Sequence, residues 1–281
     1  MNVAVVGHVE WIEFARVESV PAPGEIVHAI ESWQEPGGGG AVAAAQIARL
    51  AGEATFFTAV GDDERGREAV EHFSSLGLTV HAVARGGQRR GFMHLDAEGE
   101  RTITTLGERT VPSGGDDLPW ERLDGVDGVY FTGGDVAALH AARHAERLVA
   151  TPRAGESLQR AHVKLDVLVR SAFDPAERHA GEDLDPPPHL IVSTGGKEGG
   201  RWVGEDQTTG AWQTARLPGP KADSYGAGDS FAGGLTYALA TGMPLDDALD
   251  LAARCGAHKL TGRAGFDRQL TAADLKEGSR A

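Results

Sequence analysis

The sequence holds a single cysteine, Cys255, so no disulfide can form within the chain. That usage fits a reducing compartment. No stretch approaches the ~18 consecutive apolar residues that a membrane span requires. The N-terminal MNVAVVGHVEW has no basic region ahead of its short apolar run, so a cytoplasmic location is expected rather than secretion. Positive charge is in deficit: 27 Lys and Arg stand against 41 Asp and Glu, a net charge of −14. Such a chain repels phosphate backbones, which argues against nucleic acid as a partner. An anionic small molecule would need a local positive site, and the N–H groups at a helix start provide one. The histidines lack the spacing of metal ligands, which argues against a zinc site. Aromatic residues make up only 6%.

Glycine is abundant instead, with 39 residues, and the hydrophobic content of 41% suffices for a sizeable core. Val3 to Val6, closed by Gly7, reads as a buried strand. Residues 25–33 read as a looser edge strand, broken by Pro36 and the glycines 37–40. Ala41 to Ala51 is helical by propensity and stops at Gly52. TFFTAVG (55–61) is a strand, and Asp63 caps a helix over 64–76 that ends at Gly77. GFMHLD (91–96) and RTITTL (101–106) form a hairpin around AEGE. GVYFTGG (128–134) is a strand followed by a helix through Leu148. DVLV (166–169) and HLIVSTGG (189–196) repeat the strand-and-turn theme, and helices fill 227–241 and 245–260. Strands alternating with helices predict a mostly parallel sheet covered on both faces. The strands at 25–33 and 91–106 fall outside that alternation and predict a small separate β element, a lid.

DSYGAGDSFAGG (223–234) carries the chemistry. A Gly-Ala-Gly turn ahead of a helix aims unhindered N–H groups at one spot, where the helix dipole also favours an anion. Asp229 directly follows. A carboxylate beside a bound anion needs a task of its own, and accepting a proton from a hydroxyl that attacks phosphorus is the natural one. Taken alone, the short pattern reads better as a helix cap after a flexible turn.

The segment DSYGAGDSFAGGLTYALATG resembles the C-terminal signature of the ribokinase-like, or PfkB, carbohydrate kinases. Further resemblance lies in VVGHVEW, PAPGEIVHA, GGGGAVAAAQIARLAG, FFTAVGDDERG, STGGKEGG and LTGRAG, in the family's order over nearly the whole chain. Together these pieces are specific, although each alone is weak. The resemblance implies Asp229 as general base and Gly226, Ala227 and Gly228 as anion hole. It implies Thr194, Gly196 and Gly199 around ATP, with Lys197 approaching the phosphates. Asp223 falls where the family often helps bind a monovalent cation.

Three departures lie on the substrate side. Ile12 stands where the family carries a sugar-binding Asp; Glu10, which shares a strand face with it, is the expected substitute. Val42 replaces an Asn that contacts the sugar, although Gly38, Gly39 and Gly40 still permit close backbone approach. Ser171 and Asp174 replace the Asn and Glu of a motif that organises Mg²⁺, and the neighbouring Arg170 is expected to contact phosphate or pair with Glu177. Trp11 and Trp33, in the lid region, either stack on a ligand ring or pack the lid.

The expected architecture is therefore a single ribokinase-like α/β domain over 1–281, with lid strands near 11–35 and 88–107. The expected function is ATP-dependent phosphorylation of a hydroxyl on a sugar or sugar-containing small molecule. The resemblance implies Mg²⁺, allows a monovalent cation, and suggests a homodimer through the lid. Nucleoside phosphorylation, or ligand binding without turnover, remain the alternatives.

Overall fold

The first apolar run forms strand β1, Val3–Val6, buried along its length. Val3 and Val5 enter one core cluster while Ala4 and Val6 enter another, because successive residues of a strand face opposite ways. The structure, a computed structural model, describes residues 1–278. After Gly7 the chain leaves on β2 (Glu10–Arg16), returns on β3 (Glu31–Gly37) and enters helix α1 (Gly39–Ala51). Next come β4 (Ala54–Val60), α2 (Glu64–Ser75), β5 (Leu78–Ala84), and the hairpin of β6 (Arg90–Leu95) and β7 (Arg101–Leu106). Alternation resumes with β8 (Gly128–Phe131), α3 (Val136–Ala142), β9 (Leu148–Ala150), α4 (Glu156–Arg160), β10 (Val167–Ser171) and β11 (Leu190–Thr194). The chain closes with β12 (Gly200–Gly204), β13 (Thr209–Trp212), α5 (Ala227–Ala240), α6 (Leu245–Lys259) and α7 (Ala272–Gly278).

Nine strands form the main sheet in the order β13-β12-β11-β10-β9-β8-β1-β4-β5. It is parallel from β11 to β5, and only β12 and β13 run antiparallel. Residues of α1, α5 and α6 cover one face with Val3 and Val5, while α3 and α4 cover the other with Ala4 and Val6. A second sheet has the order β3-β2-β6-β7. Four segments join it to the main body, and two of them, residues 7–9 and Gly38, pass the same place, a Cβ at Gly38 lying 3.0 Å from the His8 carbonyl oxygen.

The expected helix after β8 stops at Ala142, and Leu148 opens a strand instead. Leu148, Val149 and Ala150 are buried between β8 and β10, and a run that short has no periodicity to separate strand from helix. The strand expected at 25–33 lies at 31–37 and contains Pro36. Proline is tolerated there because β3 is the sheet's edge. The strands β5, β9, β12 and β13 were not legible as such: they are edge-lying, very short, or rich in glycine and polar residues. Asp63 does cap α2, its side chain accepting from the Gly66 N–H at 2.9 Å. Its other oxygen accepts from the Gln88 N–H at 2.8 Å, which fixes the entry to β6.

Candidate active site

Five neighbouring parallel strands deliver residues to one cleft of about 530 Å³ at their C-terminal ends. His8 follows β1, Thr132 follows β8, Thr151 follows β9, Ser171 ends β10 and Thr194 ends β11. Strand β1 pairs with β4 on one side and β8 on the other, so the chain order reverses here. Open α/β sheets place their ligand sites at such reversals.

Asp229 stands in the first turn of α5, within the cleft. Gly226 precedes the helix with φ 76°, a left-handed conformation that glycine adopts without strain. The start of α1 approaches from the opposite side: a side chain at Gly39 would put its Cβ 2.6 Å from Asp229 Oδ1. Two helix N-termini thus converge on the carboxylate, and both favour anions. Burial raises the Asp229 pKa above the ordinary carboxylate value; Arg101 and Arg153 oppose that shift and Glu177 reinforces it.

Gly228 is exposed in the cleft, and a Cβ there would meet no protein atom within 4 Å. Packing therefore gives no reason for glycine at this position, whereas a ligand seated on the turn does. Gly228→Ala should keep or raise the melting temperature, since alanine suits a helix better. It should also lower kcat/KM about tenfold by displacing the anion, because misplacements near 1 Å cost up to ~10²-fold. Steady-state kinetics beside thermal melts would show both effects.

The other end of the cleft is cationic. Arg89 Nε pairs with Glu10 Oε1 at 2.9 Å, both side chains largely buried. Arg109 Nη2 donates to His8 Nδ1 and to the Thr132 carbonyl, each at 2.8 Å, and its other terminal nitrogen donates to the Arg153 carbonyl. Burial, then Arg109, Arg89 and Arg153, hold the His8 pKa well below the ordinary imidazole value. His8 is therefore neutral, and because Nδ1 accepts from Arg109 its proton sits on Nε2. Burial and then Arg89 push the Arg109 pKa down to about 10. Arg153 bridges two acids, reaching Glu177 Oε1 at 2.7 Å and Asp174 Oδ2 at 2.8 Å. Arg101, on β7, donates to the Ser224 carbonyl at 3.0 Å, beside the Gly-Ala-Gly turn.

Among the residues expected from sequence, Asp229, Gly228, Glu10, Gly38, Gly39, Thr194, Ser171 and Asp174 line this cleft. Gly226 and Ala227 form the turn and helix start beneath it. Gly40 lies behind, against Gly7 and His8. Val42 is fully buried; it packs against Gly226 and Gly265 rather than lining the cleft, since α1 begins at Gly39 and turns this position inward. Gly196, Lys197 and Gly199 do not line the cleft; Lys197 is exposed on the turn after β11. Gly199, at φ 79°, is required locally, because a Cβ there would lie 2.1 Å from the Trp212 carbonyl oxygen. Arg170 reaches the cleft, yet it bonds Ser193, the Ala180 carbonyl and Glu182, and the partner of Glu177 is Arg153. Asp223 is fully buried and faces Lys259 rather than the cleft. Trp11 donates to Gln34, and Trp33 stacks on Phe14 with Arg263 over it, so both pack within the protein.

His8, Arg89, Arg101, Arg109 and Arg153 escaped the sequence reading, in which Glu177 figured only as a partner for Arg170. Each is a lone polar residue in a separate segment, and nothing local distinguishes it from a solvated one.

Comparison with known proteins agrees with this arrangement. The family description "pfkB family carbohydrate kinase" matches residues 1–167 and 178–265. The intervening residues, left unmatched, contain Ser171 and Asp174. An ATP-dependent ribose-1-phosphate kinase of Halopiger xanaduensis is 28% identical over 278 residues, covering 92% of this chain and 91% of that protein. The ribokinase structure of Thermotoga maritima superimposes with a TM-score of 0.76 at 20% identity, covering 100% of this chain and 99% of that one. The ribokinase of Arabidopsis thaliana, complexed with ribose and ATP, gives 0.78 at 16% identity, covering 98% and 97%. These likenesses establish the ribokinase-like fold, and the match over most of the sequence shows that the chain belongs to the pfkB family of carbohydrate kinases.

Proposed function

We propose that this sugar kinase transfers the γ-phosphoryl group of ATP to a hydroxyl of a sugar that already carries a phosphate. The observation that carries the reading is the gathering of Arg89, Arg109 and Arg153 in the cleft that holds Asp229, in a chain of net charge −14. The Arg89 and Arg109 guanidinium groups are partly desolvated, which is costly, and a bound phosphate offsets that cost through charge-assisted hydrogen bonds. A neutral sugar gives no such return. The name of the Halopiger xanaduensis relative, a ribose-1-phosphate kinase, points to a pentose phosphate.

In this reading the acceptor lies between β1 and the small sheet, which acts as a lid. Its phosphate faces Arg89 and Arg109, and neutral His8 donates through Nε2. Glu10, paired with Arg89, accepts from a sugar hydroxyl. ATP lies toward Thr194 and Ser171, with its transferred phosphoryl group over the N–H groups of the 226–228 turn. Asp229 accepts the proton of the attacking hydroxyl. Arg153, between Asp229 and the acids after β10, stabilises charge on the group in flight.

Among the described residues, no group of three or more His, Cys, Asp or Glu is arranged to hold a metal ion. That suits magnesium, which arrives on nucleotide phosphates and needs only one or two protein carboxylates. Ser171, Asp174 and Glu177 are hard oxygen donors grouped at the cleft and would hold it. Bound there, magnesium would neutralise charge on the phosphates.

The base must be ionised to work, and its pKa is raised by burial. Activity should therefore fall on acidification at a pH above that of an ordinary aspartate. Removing the positive charge of Arg153 should move this acid limb higher still, as read from kcat/KM against pH.

A transfer assay over ribose 1-phosphate, ribose 5-phosphate, fructose 1-phosphate, ribose, fructose, adenosine and inosine tests the proposal. A sugar phosphate should give the largest kcat/KM. A free sugar or nucleoside used equally well would remove the phosphate from the reading, and failure on every acceptor would favour ligand binding without turnover.

A further inference from the structure

Asp223 and Lys259 are both fully buried, and neither reaches the cleft. The Lys259 ammonium lies 3.8 Å from Asp223 Oδ1 and donates to the Gly262 carbonyl at 3.3 Å. Backbone binds both carboxylate oxygens as well: Oδ1 accepts from the Tyr225 N–H at 2.9 Å, and Oδ2 from the Ala264 N–H at 2.6 Å. Asp223 thereby ties the segment leading into the Gly-Ala-Gly turn to the loop after α6. Ala264 holds φ 57°, a conformation alanine adopts only when its surroundings impose it. Gly265, the next residue, donates to Glu35 Oε1 of β3 at 3.0 Å. Three segments meet here: the anion turn, the loop after α6 and the small sheet.

The fully buried Asp223 and the half-buried Glu35 at this junction need a counter-charge. A free monovalent cation would have to sit beside Asp223 and the carbonyls of the 262–265 loop. These residues do not fit one, because the ammonium of Lys259, at the last residue of α6, already takes that position. We infer that Lys259 is a covalently tethered replacement for an exchangeable monovalent cation: a positioning residue that neutralises Asp223 and holds the anion turn without potassium. Lysine suits the task as a compact charge with three donors on a flexible stem. A tethered cation also never dissociates, so the turn stays ordered whatever the surrounding salt.

The test compares potassium chloride with tetramethylammonium chloride at equal ionic strength. Melting is measured without nucleotide or acceptor, so its outcome does not depend on the acceptor proposed above. Wild type should melt at the same temperature in both salts, and its kcat/KM should agree within about twofold, since an ion without a site has no coupling to the reaction. Lys259→Met should melt lower and turn over about tenfold slower in tetramethylammonium, and potassium should restore part of both by entering the vacated position. A purely structural lysine would give a loss that potassium does not repair. A potassium-specific rise in melting temperature or rate for wild type would overturn the inference, even if Lys259→Met failed to fold. So would a folded Lys259→Met protein with full turnover in tetramethylammonium.

Discussion

Asp229→Asn is expected to lower kcat by about 10²–10⁴-fold, the usual contribution of a general base, while the protein melts no lower than wild type. The second half follows from the pKa. A carboxyl whose folded pKa is raised binds its proton more tightly when folded than when unfolded. Stability is therefore lost as pH rises through the interval from the unfolded to the folded pKa, and at neutral pH the ionised group is a net cost. Asparagine removes that cost and keeps the shape beside Gly39. Loss of rate without loss of stability separates catalysis from packing, and improved melting would mark strain held for function. Turnover at the wild-type rate on the preferred acceptor would remove Asp229 as the base. A large fall in melting temperature would instead make its role structural.

Arg89→Gln is expected to cut kcat/KM for the phosphorylated acceptor far more than for the free sugar. Hydrogen bonds to charged groups contribute about 1.5–3 kcal/mol, so the preference should shrink by roughly 10–10²-fold. The effect should appear mainly in KM, because the acceptor's phosphate takes no part in bond making and is held alike in ground and transition states. Glu10 provides the internal control, since it loses its partner at 2.9 Å in the same variant. If Arg89 serves only to hold Glu10, free and phosphorylated sugars should suffer equally. A double-mutant cycle with Glu10→Gln would then divide the pair's coupling from the contact with phosphate.

The parts of the candidate site that were legible in the sequence are the local ones. A Gly-Ala-Gly turn, a helix start and the acid on its first turn are consecutive, and backbone amides with a helix dipole act over that short reach. The central strands were legible for a similar reason: β1, β4 and β8 are apolar runs that lie buried in the parallel sheet. Edge strand β3 was misplaced because an edge forgives a proline that a central strand would not.

By itself, then, the sequence determined the fold class, the Gly-Ala-Gly turn at a helix start and the place of Asp229 on that helix, because each rests on a periodicity or on neighbours in the chain. Only the tertiary structure decided what surrounds that acid. His8, Arg89, Arg109 and Arg153 come from four separate segments and meet because five parallel strands end at one edge while the small sheet folds over it. Val42 went to the core rather than the cleft because α1 begins two residues earlier than its alanine run suggests. Asp223, read as a place for a free cation, faces Lys259, an ammonium brought to it by the packing of α5 against α6. Charge acts through space, and which charges become neighbours is settled by topology and packing.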